Sequence, residues 1–243
     1  RSGNGGFGGA MYVVTKSADD FLKYDQAIGA RVKTSYASNN DAAGYTGTVY
    51  GRVNPHLSGL LHLTRRDAGD VTLANGDEFE YSGYEQDNYL GKIDYEQGDH
   101  QLALSVTHYL DEGRKPWANR RGPMPAISDY NIKKYGSYEQ ALYATTAYNT
   151  YEDNTWSANY RYSPSNPLID TQVVISHSAN ARHWVRPDIA WEKMTVSVGN
   201  FGHESWLDYK RDYIDINNLS LIGDHEITTG LQYRSLDRTS LVF

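Results

Sequence analysis

The feature that most constrains this chain is a period-two alternation of apolar and polar residues. In the stretch 155–162, every second residue is apolar or aromatic and each residue between is polar or charged. Two less regular stretches, 169–178 and 206–219, share the pattern, and the second changes face near Asp212–Ile214 as a β-bulge would. Such alternation is typical of strands with one apolar and one polar face, so about nine strands are predicted. The other stretches are 28–36, 45–53, 57–66, 89–96, 101–107 and 227–234.

The connections between these strands alternate between short and long. The short ones contain turn residues, as in Asn54-Pro55-His56 and Gly223-Asp224. A compact soluble domain rarely holds long loops between short turns. An outer-membrane barrel does, with short periplasmic turns and long extracellular loops. The sequence therefore predicts an all-β fold, an antiparallel transmembrane β-barrel, with a soluble β-sandwich as the alternative. The long connections are predicted at 37–43, 68–86, 112–152 and 179–205.

Composition agrees with this fold and excludes several others. A mean hydropathy of −0.66 leaves no apolar run long enough for a membrane-spanning helix, whereas barrel strands average out to a hydrophilic score. The 21 Tyr and 5 Trp suit the aromatic girdles of a barrel at the membrane interfaces. A net charge of −7 argues against a nucleic-acid partner. The absence of Cys excludes disulfide scaffolds, Cys-ligated zinc and thiol catalysis.

The predicted strand number suggests that the barrel is incomplete. Bacterial single-chain barrels close with an even number of strands, whereas the alternation predicts about nine. The last residues, 237–243, lack the sustained alternation of a finishing strand. We therefore expect the chain to be part of a larger barrel.

A glycine string, Gly3-Asn4-Gly5-Gly6-Phe7-Gly8-Gly9, opens the chain. A strand-like run follows it, so no helix N-terminus is available to bind a phosphate. Glycines at this spacing before an apolar strand and Thr15-Lys16 resemble the end of the plug domain of TonB-dependent outer-membrane receptors. The resemblance implies a plug inside a roughly 22-stranded barrel. It places the end of the plug and its link at 1–22 and the partial barrel at 23–243.

The stretch from Thr15 to Leu22 resembles the haem, haemoglobin and transferrin branch of these receptors. Asp153–Pro164 and His225–Gly230 resemble the early barrel of the same branch. The resemblance implies a bacterial outer-membrane receptor that takes up haem or a haemoprotein. Energy would come from the TonB complex, through a region outside these residues. A ferric siderophore receptor of the same family, a passive porin and a soluble β-sandwich binding module remain the alternatives.

No catalytic site is predicted. The chain has no Gly-x-Ser-x-Gly elbow and no His-Glu-x-x-His motif, and its adjacent acidic pairs would point to opposite faces of a strand. We therefore expect no enzyme activity, no catalytic residues and no catalytic cofactor. Haem enters only as a possible transported ligand, and no metal ligand is assigned.

The first candidate for ligand contact is His183-Trp184-Arg186 in the predicted loop 179–205. Imidazole binds haem iron, the neighbouring ring can stack, and the guanidinium can pair with a carboxylate. A solvated loop histidine is the plainer interpretation of His183.

The second candidate is a basic cluster in the predicted loop 112–152, within an acidic protein. Such a cluster could attract haem propionates, an anionic siderophore or an acidic protein surface. It could equally bind lipopolysaccharide phosphates or be an ordinary charged loop. Ser137 to Ala147 is predicted to form a short helix in this loop. The proposed contact residues are Arg114, Lys115, Trp117, Arg120 and Arg121.

Charged residues on the polar faces of the strands have two interpretations. A porin would use them as a pore lining, and a receptor would use them to hold its plug. The plug-like N-terminus favours the receptor, while the apolar faces would contact outer-membrane lipid. The residues expected on one face are Arg31, Lys33, Arg52, Arg66, Lys92, Asp94, Glu96, Arg161 and Arg234.

Overall fold

The chain folds into one large antiparallel sheet, seen in a computed structural model that describes residues 15–116, 127–192 and 203–243. Nine strands follow one another in the sheet in chain order, and a separate two-stranded sheet pairs β4 with β5. The strands are β1 (Ile28–Ala37), β2 (Ala42–Asn54), β3 (Leu57–Ala68), β4 (Val71–Thr72), β5 (Glu78–Phe79), β6 (Tyr84–Gln97), β7 (His100–Pro116), β8 (Thr146–Tyr162), β9 (Thr171–Val185), β10 (Glu204–Ile222) and β11 (His225–Val242).

Each long strand pairs with its neighbours in sequence, and every pairing is antiparallel. The prediction of an all-β antiparallel fold with nine main strands is confirmed. A β-sandwich needs a second sheet packed on the first. The second sheet in the described residues has only two short strands, β4 and β5, so the structure does not support the β-sandwich alternative.

Helices are short and lie in the connections. A 3-10 helix spans Ala18–Asp20, and α1 (Asp129–Tyr135), α2 (Tyr138–Tyr143) and α3 (Asp188–Glu192) follow. Ser137 Oγ caps α2 by accepting a hydrogen bond from the Gln140 backbone N–H at 3.2 Å. The prediction of a short helix in this loop is confirmed. None of the described helices is both long enough and apolar enough to cross a membrane.

The strands extend further toward the long loops than the sequence predicts, as β7, β8, β9 and β10 show. β7 continues to Pro116 and β8 begins at Thr146, so the loop predicted at 112–152 spans only 117–145. Likewise β9 reaches Val185 and β10 begins at Glu204, which shortens the loop 179–205 to 186–203. The predicted ends are wrong because a backbone ladder does not require apolar side chains. In these extensions polar residues such as Glu112, Arg114 and Glu152 lie on the apolar face, so the alternation weakens while the hydrogen bonding continues.

Two finer predictions are also wrong. β10 pairs residue for residue with both neighbours, so no bulge occurs near Asp212. The register shift lies instead in β2, between Arg52 and Asn54. Residues 237–242 belong to β11, where they pair with β10 up to Val242.

The strand register assigns alternate residues to two faces. The apolar face carries exposed aliphatic side chains, which are Val32, Val49, Leu61, Ile93, Val106, Ile175, Ile214 and Leu231. The polar face carries all nine charged residues that the sequence placed together, from Arg31 to Arg234. Residues 15–22 lie against the polar face. Arg52 of β2 donates a hydrogen bond to Asp19, and Lys92 of β6 donates one to Ser17.

The short turn 163–170 is tied to the sheet by an ion pair. Arg161 Nε and Nη2 donate to the two carboxylate oxygens of Asp170, both at 2.7 Å. This contact holds the pKa of Asp170 below its ordinary value of 3.8. The pair therefore stabilises the folded state fully above that ordinary value, and the stabilisation is lost as pH falls through the lower folded pKa.

We expect Asp170→Asn to lower the free energy of unfolding by about 0.5–1 kcal/mol at pH 7, since the pair is partly exposed. At pH 2 the difference between the mutant and the wild type should be smaller, because the stabilisation is lost as pH falls through the folded pKa. Urea titration of the intact protein in lipid at the two pH values measures both. Asp99→Asn, in the neighbouring turn, is the matched control and should change little. An equal loss at both pH values would contradict the assigned role.

Candidate functional site

His183 lies on β9 and not in a loop, so the predicted position is wrong. Its Nε2 lies 2.7 Å from a carboxylate oxygen of Glu204, and its ring stacks on Trp206 with 3.6 Å between the ring centroids. The register pairs His183 with Trp206 and places it on the same face as Ile175. The imidazole is therefore on the apolar-face side of the strand and already has two partners.

Trp184, the next residue, lies on the polar face. The Arg182 guanidinium lies 4.5 Å from its ring centroid, a cation–π arrangement. Arg186 follows the end of β9 and is buried, and its backbone N–H donates to the His203 carbonyl at 2.9 Å. The structure thus places His183 and Trp184, which the sequence grouped together, on opposite faces of the sheet.

Arg114 and Lys115 lie on β7 and not in the loop, and adjacent strand residues point to opposite faces. Arg114 donates to the Thr146 hydroxyl at 3.2 Å, and its guanidinium lies 4.5 Å from the ring centroid of Tyr143 in α2. Lys115 forms an ion pair with Asp111. Both cations are therefore engaged in local contacts. Trp117, Arg120 and Arg121, which complete the predicted basic cluster, lie outside the described residues.

The two long loops that follow β3 and β7 contact each other at the end of the sheet. The rings of Tyr81 and Tyr143 lie 6.5 Å apart between centroids. Asp70 supports this turn by accepting the backbone N–H groups of Tyr81 at 3.0 Å and Gly83 at 2.8 Å. Burial, together with nearby carboxylates, raises the pKa of Glu80 beside them. The loops therefore form one connected structure at this edge.

The polar face carries tyrosine and arginine near the long loops, a grouping that the sequence analysis missed. The rings of Tyr109 and Tyr151 meet edge to face at 5.9 Å between centroids. The Tyr109 hydroxyl donates to Asp111 at 3.4 Å, and the register places Tyr151 beside Arg182. Extending the alternation of β8 and β9 toward the loops, across their polar residues, would have found these side chains.

The opposite end of the polar face, near the short turns, holds residues 15–22. Asp19 forms an ion pair with Arg52 and accepts the Ser58 hydroxyl at 3.3 Å. Lys92 Nζ donates to the Ser17 hydroxyl at 2.7 Å. The Phe21 ring stacks on Tyr50 at 5.1 Å between centroids. A polar cavity of about 710 Å³ extends from Asp19 and Arg52 towards Arg161.

Metal-ligand geometry is not found at these positions. Within residues 15–116, 127–192 and 203–243, no group of three or more His, Asp or Glu side chains could hold a metal ion.

Comparison with known proteins gives a consistent result. No family model matches the chain. The chain is 32% identical over 251 residues to TonB-dependent heme receptor A of Haemophilus ducreyi and 31% identical over 248 residues to its Haemophilus influenzae namesake. Both alignments cover 99% of this chain. The predicted resemblance to TonB-dependent receptors is confirmed. The chain spans about a third of the length of these relatives, 33% in each case.

Solved structures show the same fold. The FrpB iron transporter of Neisseria meningitidis, F3-3 variant, superposes with a TM-score of 0.73 at 21% identity. The match covers 93% of this chain and 33% of the FrpB chain. The F5-1 variant gives a TM-score of 0.70 at 20% identity, over 94% of this chain and 34% of that chain. The chain thus has the fold of part of an antiparallel transmembrane β-barrel. The relatives are named as receptors and as a transporter, which agrees with the expectation of no enzyme activity.

Proposed function

We propose that this chain is part of an outer-membrane receptor that takes up an iron-bearing ligand, haem or a haemoprotein, with energy supplied through TonB. The observation that carries the proposal is the similarity to TonB-dependent haem receptors along 99% of the chain. Haem would be the transported ligand and not a catalytic cofactor. The TonB complex would contact a region outside these residues, and the apolar face would contact lipid and lipopolysaccharide.

Within this proposal, residues 1–22 form the end of the plug and its link, and residues 23–243 form barrel strands. The contacts of Asp19 with Arg52 and of Ser17 with Lys92 support this division, because they hold the link against the interior wall. An energised change in the plug would pull on these contacts. Cargo could then pass along the polar face from the long loops to the short turns.

Energy dependence tests the proposal. Cells that depend on the intact protein for haem uptake should stop accumulating haem when a protonophore collapses the proton gradient or when TonB is deleted. A passive porin would continue to transport under both conditions, so persistent uptake would overturn the proposal in favour of the porin. Cells without the protein provide the background.

The ligand class is tested by absorbance. Titration of the intact, purified protein with haem should perturb the Soret band if haem binds. Trp184, which lies on the polar face, remains a proposed contact, so Trp184→Ala should weaken the change. His183 is directed away from that face, so His183→Ala should preserve it. A Soret band that the protein leaves unchanged would overturn haem as ligand and favour a ferric siderophore.

A further inference from the structure

Four arginines form a stripe on the polar face of β9, β10 and β11. A row here means the residues that pair with one another across neighbouring strands. Counted from the long-loop side, Arg182 of β9 pairs with Leu207 of β10 in the first row, and Arg238 of β11 pairs with Tyr209 of β10 in the second. In the two rows below, Arg211 lies opposite Ser178, and Arg234 lies opposite Tyr213. Successive rows on one face are about 6.6 Å apart and neighbouring strands are about 4.8 Å apart. We call Arg182, Arg238, Arg211 and Arg234 the arginine stripe.

The stripe differs in its partners from the ion-paired cations of the polar face, whereas Arg31, Lys33 and Arg66 share with it the lack of an ion pair among the described residues. Arg52, Lys92, Lys115 and Arg161 each form an ion pair with a carboxylate. Among the described residues, no member of the stripe has a carboxylate oxygen within 4.0 Å. The contacts of Arg182 and Arg238 are aromatic or neutral. Arg182 lies over Trp184 at 4.5 Å and 3.4 Å from the Asn149 amide oxygen, and Arg238 lies 5.7 Å from the Tyr209 centroid.

These positive charges stand out in an acidic chain. With a net charge of −7, an average surface of this protein would be negative. Charges lining a narrow interior with low-dielectric walls act together, because the field is focused there. Successive members of the stripe on neighbouring strands are about 8 Å apart, which is close to the Debye length in physiological salt, and Arg182 and Arg238, two strands apart, are separated by about 12 Å. The four guanidinium groups therefore concentrate positive charge on this part of the polar face, although the carboxylate of Asp111 also acts on Arg182.

We propose that the arginine stripe is a guide surface for a ligand that carries carboxylates on a flat aromatic body. Guanidinium groups pair with carboxylates in a planar, two-point geometry, and the adjacent Trp184 and Tyr209 offer ring faces. The spacing lets a carboxylate pass from one row to the next without leaving positive charge. The role of the stripe in guiding transported ligand rests on the proposed function. Its attraction for anions does not.

Modification of an introduced cysteine tests the charge of the stripe without any transport. The chain has no cysteine, and Ser178 lies on the polar face opposite Arg211. In the intact protein carrying Ser178→Cys, a negatively charged methanethiosulfonate should react faster than a positively charged one, after correction for their rates with a free thiol. Adding Arg211→Gln should reduce this preference by about two- to fivefold. Equal rates for both reagents, or no reaction with either, would overturn the proposal.

Uptake then tests the ligand class. Arg211→Gln with Arg234→Gln should lower haem uptake by about fivefold or more, and lysine at both positions, which keeps the charge but not the two-point geometry, should restore part of it. Lys210→Gln is the matched control, since Lys210 neighbours Arg211 on β10 but belongs to the apolar face. Haem dimethyl ester, which lacks the carboxylates, should be transported equally by the wild type and the double mutant.

The two experiments separate the possible failures. A wild-type protein that transports no haem contradicts the proposed function, while the cysteine modification still reports on the stripe. A double mutant that transports haem as the wild type does would overturn the guide surface alone. If the double mutant takes up the ester and haem with equally reduced rates, the arginines hold the plug and do not guide the ligand. That result would also overturn the proposal.

Discussion

Replacing Ile175 with arginine should destabilise the intact protein in lipid by about 2–4 kcal/mol, which is the depth-dependent cost of a cation on the lipid side of a barrel. Ile175 lies on the apolar face of β9, where its register partners are Ala158 and Ile214. A guanidinium there must either leave water or distort the bilayer around it. Denaturant titration of the protein in lipid vesicles measures the change in unfolding free energy.

Ser176→Arg is the matched control, because Ser176 is the next residue of β9 and belongs to the wet polar face. We expect this substitution to cost at most about 0.5 kcal/mol, as for a surface change away from special features. Equal losses for the two mutants would contradict the assignment of the faces. A loss for Ser176→Arg alone would reverse it.

Replacing Asp215 with alanine should cost about 2 kcal/mol of unfolding free energy, since three hydrogen-bond donors would lose a charged acceptor. Asp215 is buried on the polar face, with only 8% of its surface exposed. It accepts the Tyr213 hydroxyl at 2.7 Å, the Asn217 amide at 3.2 Å and the Gln232 amide from β11 at 2.6 Å. The carboxylate therefore ties β10 to β11.

The same denaturant titration measures this loss. Asp208→Ala, on the same strand but on the other face, removes a carboxylate to which no hydrogen bond is assigned among the described residues, and it should be nearly neutral. Asp215→Asn should fall between the two, because an amide keeps one acceptor oxygen. A neutral Asp215→Ala would show that water replaces the carboxylate at no cost.

Much of the fold was predictable because lipid imposes a simple pattern. A strand between lipid and a wet interior must alternate, as residues 155–162 do, and the pattern located all nine long strands. The strand ends near the long loops were not predictable in this way. There the apolar face carries Glu152 in β8 and His183 in β9, so side-chain alternation no longer reports reliably on backbone pairing.

The candidate site was less predictable for the same reason. His183 looked like a loop ligand because its neighbours were polar, yet it is paired in β9 and stacked on Trp206, more than twenty positions away. Which ring a histidine contacts depends on the register between strands, and this register cannot be read from the local sequence. The tyrosine and arginine side chains of β8 and β9 were missed because their strands were ended too early.

By itself, the sequence determined the strand number, the two faces of each strand and the family resemblance, since these follow from local alternation and from motifs. Only the tertiary structure decided which residues meet across strands. It separated His183 from Trp184, placed Asp19 against Arg52, and aligned Arg182, Arg238, Arg211 and Arg234 into one stripe. The physical reason is that hydrogen-bond register between strands sets these neighbours, and a shift of one residue would turn each side chain to the opposite face.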